Sequence, residues 1–193
     1  MVVQLRGTSG SGKTYAVRAI LNHFKPQPDR NEDGKILGYE LDNGQTRLYV
    51  VGDYDSSECG GCDKIKRQKE IRQRVQAAAL AGRHVLFEGL LASGSVLPYA
   101  FLATELERAG HDYRFILLDT PLETCLDRIR SRRERKGNKK PLNPTNTTKS
   151  WNNQRRHYQK LREFGLDVRR LSGDEAIEQV IRWFSQGAPR EEV

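Results

Sequence analysis

The sequence is poor in the residues that stabilise secreted proteins and that cross membranes. It has three cysteines in 193 residues, an odd and small number that favours a reducing compartment over a disulfide framework. No apolar stretch approaches the roughly 18 residues that a transmembrane helix needs. No basic segment followed by an apolar one opens the chain, so no secretory signal is predicted. We therefore expect no membrane partner and a location in the cytoplasm, which is the host cell cytoplasm if the chain is viral.

What the sequence does contain is an alternation of strand and helix patterns in a chain of single-domain size. This alternation predicts an α/β fold with a mainly parallel sheet covered by helices on both faces. We expect one domain over residues 1–186 and a tail at 187–193. The patterns predict, in chain order, a strand at 2–6, a helix at 13–24, polar turns at 25–34, a hairpin with arms 36–41 and 46–51, a helix at 64–81, a strand at 84–87, a helix at 95–109, a strand at 113–119, a helix at 121–135, a loop at 136–148, a helix at 149–164, a strand at 167–171 and a helix at 174–184.

The most specific motif is a glycine-rich loop between the first predicted strand and helix. It reads Gly7-Thr8-Ser9-Gly10-Ser11-Gly12-Lys13-Thr14 and matches G-x-x-x-x-G-K-[ST] in full. We expect the backbone N–H groups of this loop to bind phosphate oxygens, aided by the helix N-terminus. Lys13 can reach the β- and γ-phosphates, and the Thr14 hydroxyl can ligate Mg²⁺. The motif therefore predicts binding of ATP or GTP with Mg²⁺, with a plain glycine-rich turn as the alternative.

Acidic residues follow three of the predicted strands, at the sheet edge where ligands bind in such folds. Asp53 is the candidate for accepting the proton of an acceptor hydroxyl, with Asp55 as the second candidate. Glu88 is expected to orient Mg²⁺ or to hold the acceptor. Asp119 precedes Thr-Pro at a helix start and is expected to act as a cap or at the switch point. Turn or structural roles are the alternatives for these acids.

The net charge of +8 is concentrated in one part of the chain. Residues 125–170 carry 15 Lys and Arg against 4 Asp and Glu, a net charge of +11, so the remainder carries −3. Residues 64–74 form a second, smaller basic run. Such concentration favours a polyanionic ligand, either nucleotide phosphates, a nucleic acid or both.

Two arginines of the basic segment are candidates for phosphate binding. Arg128 and Arg132 lie four residues apart on a predicted helix and share a face, which Arg135 extends. Arginines near a phosphate loop can neutralise charge on a transferred phosphoryl group. The loop that follows is expected to close over the nucleotide as part of a lid at about 128–150. The alternative is a solvated basic helix.

Two further patterns leave alternatives open. Cys59 and Cys62 form a C-x-x-C pair, which indicates a zinc site, a redox pair or a flexible loop with incidental thiols. Trp151, His157 and Tyr158 alternate with basic residues, which is typical of base stacking on nucleic acid. The same aromatic spacing is also typical of a helix packed on the core.

Together the phosphate loop, Glu88-Gly89 and the segment LDTPLETCLDRIRSRR at 118–133 resemble the nucleoside-monophosphate-kinase-like branch of P-loop kinases, over residues 2–184. This resemblance implies a P-loop NTPase three-layer sandwich with a five-stranded, mainly parallel sheet, an added β-hairpin and the lid. It implies that adenine packs between Arg128 and the loop at 172–174. It also makes Asp53 similar to the general base of polynucleotide 5′-kinases.

The acceptor is less sharply predicted than the donor. The segment after Glu88 lacks the arginine with which nucleoside-monophosphate kinases hold an acceptor phosphate. The overall make-up is similar to small bacteriophage P-loop kinases, including those that phosphorylate 5-hydroxymethyluracil within DNA. We therefore expect an ATP- and Mg²⁺-dependent kinase of a DNA-borne hydroxymethyl-pyrimidine, with a 5′-hydroxyl end or a free nucleoside monophosphate as alternative acceptors. A non-catalytic NTP-binding, nucleic-acid-binding module and a motor-type ATPase are the alternatives from other classes; the sequence does not predict an oligomeric state.

Overall fold

A computed structural model describes residues 1–55, 60–138 and 140–186. The strands are β1 (Val2–Arg6), β2 (Gln27–Arg30), β3 (Ile36–Asp42), β4 (Arg47–Val51), β5 (His84–Glu88), β6 (Tyr113–Leu118) and β7 (Asp167–Leu171). The helices are α1 (Lys13–Phe24), α2 (Gln68–Leu80), α3 (Leu90–Ser93), α4 (Leu97–Arg108), α5 (Leu122–Arg135), α6 (Thr145–Glu163) and α7 (Gly173–Ser185).

The strands form one seven-stranded sheet in the order β2-β3-β4-β5-β1-β6-β7. The five strands from β4 to β7 run parallel, whereas β2 and β3 are antiparallel additions at one edge. The predicted α/β class and the five-stranded parallel sheet are confirmed. The predicted hairpin is formed by β3 and β4, but only its first arm, β3, is added to the parallel sheet. Its second arm, β4, is itself one of the five parallel strands.

Helices cover both faces of the sheet because successive side chains of each buried strand point to opposite sides. In β5, Val85 and Phe87 pack with α2 and α4, whereas Leu86 between them packs with α1 and α7. All three side chains are fully buried. Burial of each such side chain contributes about 1.5–3 kcal/mol, so the two cores hold the carboxyl ends of the parallel strands at one fixed edge.

The predicted polar turns at 25–34 are wrong in part, because residues 27–30 form β2. This strand pairs antiparallel with β3 at the edge of the sheet. Pro28 is tolerated there because an edge strand has one side without ladder hydrogen bonds. The side chains of β2 are mostly exposed, so the strand shows no apolar alternation that would have predicted it.

Several predicted helix bounds also change. The helix expected at 64–81 begins at Gln68, and Cys62–Lys64 form a separate 3₁₀ turn. The loop expected at 136–148 ends earlier, since α6 begins at Thr145. The tail at 187–193 lies outside the described residues. Within the described part of the chain, no helix is long and apolar enough to cross a bilayer.

Candidate active site

The phosphate-binding motif forms a tight loop between β1 and α1, as its sequence predicts. Gly10 and Gly12 have φ angles of 80° and 97°, which glycine adopts without the strain that other residues incur. A Cβ atom on Gly10 would lie 2.4 Å from the backbone oxygen of Cys125 in α5. Glycine at this position therefore allows the loop to contact the helix that carries the predicted arginines.

The loop opens into a pocket with the charge pattern of a polyphosphate site. Four cationic side chains line it, together with two acidic ones: Lys13, Arg128, Arg132, Arg135, Asp63 and Glu88. The Lys13 ammonium donates hydrogen bonds of 2.9 and 3.0 Å to the backbone oxygens of Gly7 and Thr8. Arg128 donates to the backbone oxygen of Gly10 at 3.2 Å. The structure thus brings the predicted lysine and both predicted arginines to one pocket.

Glu88 and Thr14 form a hydrogen-bonded pair at the same pocket. The Thr14 hydroxyl donates a 3.0 Å hydrogen bond to Oε1 of Glu88. Oε2 of Glu88 is buried and has no hydrogen-bond partner among the described residues. Burial raises the pKa of Glu88 to about 7, against the opposing effect of the Lys13 charge. Hard oxygen ligands of this kind suit Mg²⁺, so these residues fit the metal that the phosphate motif implies.

The raised pKa of Glu88 predicts a pH-dependent stability in the absence of Mg²⁺. The folded protein keeps the Glu88 proton up to about pH 7, whereas the unfolded chain loses it near 4.5. Unfolding between these values releases a proton, so the Glu88 contribution to the free energy of unfolding falls as pH rises from about 4.5 to 7. The total change is on the order of 3 kcal/mol.

Urea unfolding of the wild type and of Glu88→Gln, followed from pH 5 to 8 without Mg²⁺, measures this effect. Glutamine still accepts from Thr14 but does not titrate, so the difference in unfolding free energy between the two proteins should change over this range. Parallel curves would contradict the raised pKa.

A close approach of two glycines places a second carboxylate at the pocket. Gly61 donates its N–H to the backbone oxygen of Asp53 at 2.7 Å. A Cβ atom on Gly61 would lie 2.7 Å from Oε1 of Glu88, and one on Gly52 would lie 2.4 Å from the carbonyl carbon of Gly61. Because both positions lack side chains, the turn at 61–64 can pack directly against the ends of β4 and β5.

This turn presents Asp63 to the phosphate pocket. Oδ1 of Asp63 accepts a 2.6 Å hydrogen bond from the N–H of Leu90, and the residue is exposed. No described basic side chain forms an ion pair with it. Sequence reasoning missed Asp63, because it lies ten residues after Asp53 and not at a strand end. The adjacent Gly60-Gly61 pair was the available indication of a close backbone approach.

The two acids predicted from β4 lie elsewhere. Asp53 forms an ion pair with Lys64 and accepts a 3.0 Å hydrogen bond from the N–H of Asp55. Burial alone would raise its pKa, but these two hydrogen bonds outweigh burial and lower it. Asp53 lines a separate cleft on the other side of the 61–64 turn. Asp55 accepts from the Tyr39 hydroxyl and lines a third depression, away from the phosphate loop.

Asp119, which follows β6, joins α6 to β7 through two ion pairs. It pairs with Arg155 of α6 at 3.4 Å and with Arg170 of β7 at 2.7 Å. It does not cap α5, so that part of its prediction is wrong. Trp151 donates its indole N–H to the backbone oxygen of Thr120 at 2.9 Å and stacks under Arg155 at 3.6 Å. The side chains of Trp151 and Arg155 therefore both make contacts within the protein.

The cysteine pair is only half described. Cys59 lies outside the described residues, whereas Cys62 is buried and its thiol donates to the backbone oxygen of Val51 at 3.7 Å. The described residues contain no group of three or more His, Cys, Asp and Glu side chains placed to hold a metal ion.

Comparison with known proteins agrees with the kinase prediction. The 5-hmdU DNA kinase family matches residues 2–178. A 5-hmdU DNA kinase of Pseudomonas phage PaMx11 is 34% identical over 186 residues, covering 93% of this chain and 94% of the relative. A 5-hmdU DNA kinase of Pseudomonas phage M6 is 31% identical over 151 residues, covering 67% and 71%. Among solved structures, deoxyadenosine kinase from M. mycoides aligns with a TM-score of 0.46 and 11% identity, covering 96% of this chain and 100% of that chain. The family model and the two phage relatives confirm the predicted enzyme class: this chain is a kinase and belongs to the 5-hmdU DNA kinase family.

Proposed function

We propose that the protein transfers the γ-phosphoryl group of ATP to the hydroxymethyl group of 5-hydroxymethyluracil in DNA. The main observation behind this proposal is the pocket at the phosphate-binding loop, which is lined by Lys13, the Thr14–Glu88 pair and Arg128. The two phage relatives, both 5-hmdU DNA kinases, support the acceptor. The proposed place of action is the cytoplasm of the infected cell, where ATP and phage DNA are both present.

The donor side of the site stabilises negative charge. The backbone N–H groups of Gly7, Ser9, Gly10, Ser11 and Gly12 belong to the loop that would bind the phosphates. Lys13, Arg128 and Arg132 would neutralise charge on the transferred group, which is where positioned cations accelerate phosphoryl transfer most. Thr14 and Glu88 would hold Mg²⁺, which when bound neutralises phosphate charge and orients the donor. Adenine would pack beside Arg128, near residues 172–174, in the site closed by the 128–150 lid.

The acceptor side needs a carboxylate that receives one proton. The hydroxymethyl oxygen attacks the γ-phosphorus, the bond from that phosphorus to the β–γ bridging oxygen breaks, and ADP leaves. The acceptor proton passes to a carboxylate. Asp53 and Asp55 are the candidates from strand position, whereas Asp63 is the candidate that lines the phosphate pocket itself. We assign the role to Asp63, because a base must lie within hydrogen-bond reach of the proton that it removes.

A substrate panel tests the proposed acceptor. Radiolabelled ATP is supplied with duplex DNA that contains 5-hydroxymethyluracil or plain thymine, with a 5′-hydroxyl oligonucleotide and with free deoxynucleoside monophosphates. We expect label only on the 5-hydroxymethyluracil DNA, because thymine lacks the hydroxyl that must attack. The label should resist removal of the terminal nucleotide, which distinguishes an internal base from a 5′ end.

Label on a free monophosphate and on none of the DNAs would overturn the proposed acceptor in favour of nucleotide phosphorylation. Nucleotide binding without transfer to any acceptor would favour a non-catalytic module. For experiments with variants of the site, Lys69→Ala is a suitable control. Lys69 is exposed on α2 and lines neither the phosphate pocket nor the neighbouring cleft.

A further inference from the structure

A cleft beside the phosphate pocket carries positive charge that the donor site does not use. Its wall includes Lys35 from the β2–β3 connection, Lys66 and Arg67 from the segment before α2, and the Asp53–Lys64 pair. We propose that this cationic cleft binds backbone phosphates of the DNA strand next to the acceptor nucleotide. This inference rests on the proposed function, because it concerns where the DNA of that reaction lies.

The charge balance of the cationic cleft leaves three basic side chains for a ligand. Lys64 is paired with Asp53, and Arg74 is paired with Glu70 at 2.6 Å. Lys35, Lys66 and Arg67 are exposed, and their side chains have no hydrogen bond or ion pair with the described residues. Unpaired lysine and arginine side chains around one concave surface match the spaced negative charges of a nucleic-acid backbone.

The position of the cationic cleft relative to the reacting groups supports DNA as its occupant. The 3₁₀ turn at 62–64 separates the two depressions, with Asp63 lining the phosphate pocket and Lys64 lining the cleft. Gly61 lies between them and contacts both Glu88 and the end of β4. A nucleotide that reaches Asp63 would therefore leave its neighbours in the same strand beside Lys66 and Arg67.

The basic segment at 125–170, which the sequence favoured for DNA, has fewer available charges than its composition indicates. Arg155 and Arg170 are paired with Asp119, and Arg130 is paired with Asp127 at 2.5 Å. Arg128 and Arg132 line the phosphate pocket. The exposed face of α6 retains cations without described partners, including Lys149, Arg156 and Lys160, and the first two line a shallow depression. Lys149 and Arg156 provide a matched control pair.

Two double variants test the cationic cleft against α6. Lys66→Ala with Arg67→Ala should weaken binding of 5-hydroxymethyluracil duplex DNA about tenfold to a hundredfold at about 0.1 M salt. It should also reduce the slope of log affinity against log salt by about 2, because each lost phosphate contact removes about 0.9. Lys149→Ala with Arg156→Ala should change both quantities less. ATP binding and thermal unfolding, measured on the same proteins, should stay at wild-type values.

Equal DNA affinity and salt slope in the cleft variant and the wild type would overturn the inference, as would a larger loss in the α6 variant. If alanine at 66 and 67 impairs folding, Lys66→Gln with Arg67→Gln removes the charges and keeps an unbranched polar side chain at each position. The inference and the proposed function fail separately. Phosphorylation of DNA that is insensitive to the cleft variant rejects only the cleft, whereas cleft-dependent DNA binding without phosphoryl transfer rejects only the activity.

Discussion

Replacing Lys13 by alanine is expected to lower the rate of phosphoryl transfer at least about 10³-fold. The Lys13 ammonium is buried at the phosphate loop and lies next to the Thr14–Glu88 pair. A cation fixed where charge develops in the transition state stabilises that state more than it stabilises bound ATP. The loss should therefore appear mainly in kcat, with a smaller change in ATP affinity.

Single-turnover transfer of radiolabelled phosphate, with ATP binding followed separately by titration, measures the effect of Lys13→Ala. Lys69→Ala removes an ammonium from the exposed surface of α2 and serves as the matched control. Thermal unfolding of the variants must also be compared, because Lys13 donates to two backbone oxygens of the loop. A folded Lys13→Ala protein that keeps more than about a tenth of wild-type activity would contradict the assigned role.

The second large effect distinguishes Asp63 from Asp53 as the general base. Asp63→Asn should lower kcat about 10²- to 10⁴-fold, the usual contribution of a positioned general base. Asparagine can still accept the hydrogen bond from the N–H of Leu90 but cannot take the acceptor proton. Asp53→Asn should cost less than about tenfold, because Asp53 is paired with Lys64 across the turn from the pocket.

Initial rates on saturating 5-hydroxymethyluracil DNA, for both asparagine variants in parallel, decide between the two aspartates. Asp63→Ala removes the carboxylate as Asp63→Asn does, and it also removes the acceptor of the hydrogen bond from the N–H of Leu90. Similar rates for Asp63→Ala and Asp63→Asn would show that proton transfer, and not support of Leu90, accounts for the effect. A larger loss for Asp53→Asn would instead support the assignment made from the strand position and would remove Asp63 from the chemistry.

The parts of the site that lie close together in the chain could be predicted from the sequence. The loop from Gly7 to Thr14 needs only a strand, a turn and a helix start, all of which are local. The i, i+4 spacing of Arg128 and Arg132 fixed their common helix face, and the structure brings both to the phosphate pocket. Glu88 was predictable because carboxyl ends of parallel strands meet at one edge of the sheet.

The parts that depend on contacts between distant segments were missed. Asp63 reaches the pocket because Gly61 and Gly52 approach each other across the ends of two segments, and no periodic pattern records such an approach. β2 was missed because its pairing with β3, and not burial of its side chains, holds it in the sheet. The availability of the basic residues depends on ion pairs such as Arg155–Asp119, whose partners are 36 residues apart.

The sequence by itself determined the fold class, the phosphate-binding loop and the excess of positive charge, because these depend on local backbone chemistry and on composition. Only the tertiary structure decided which carboxylates share a pocket with the phosphate-binding loop and which cations are left without a partner. The physical reason is that hydrogen bonds and ion pairs act over a few ångströms. The groups that they join in this protein, such as Asp63 and Leu90, come from segments that only the folded sheet brings together.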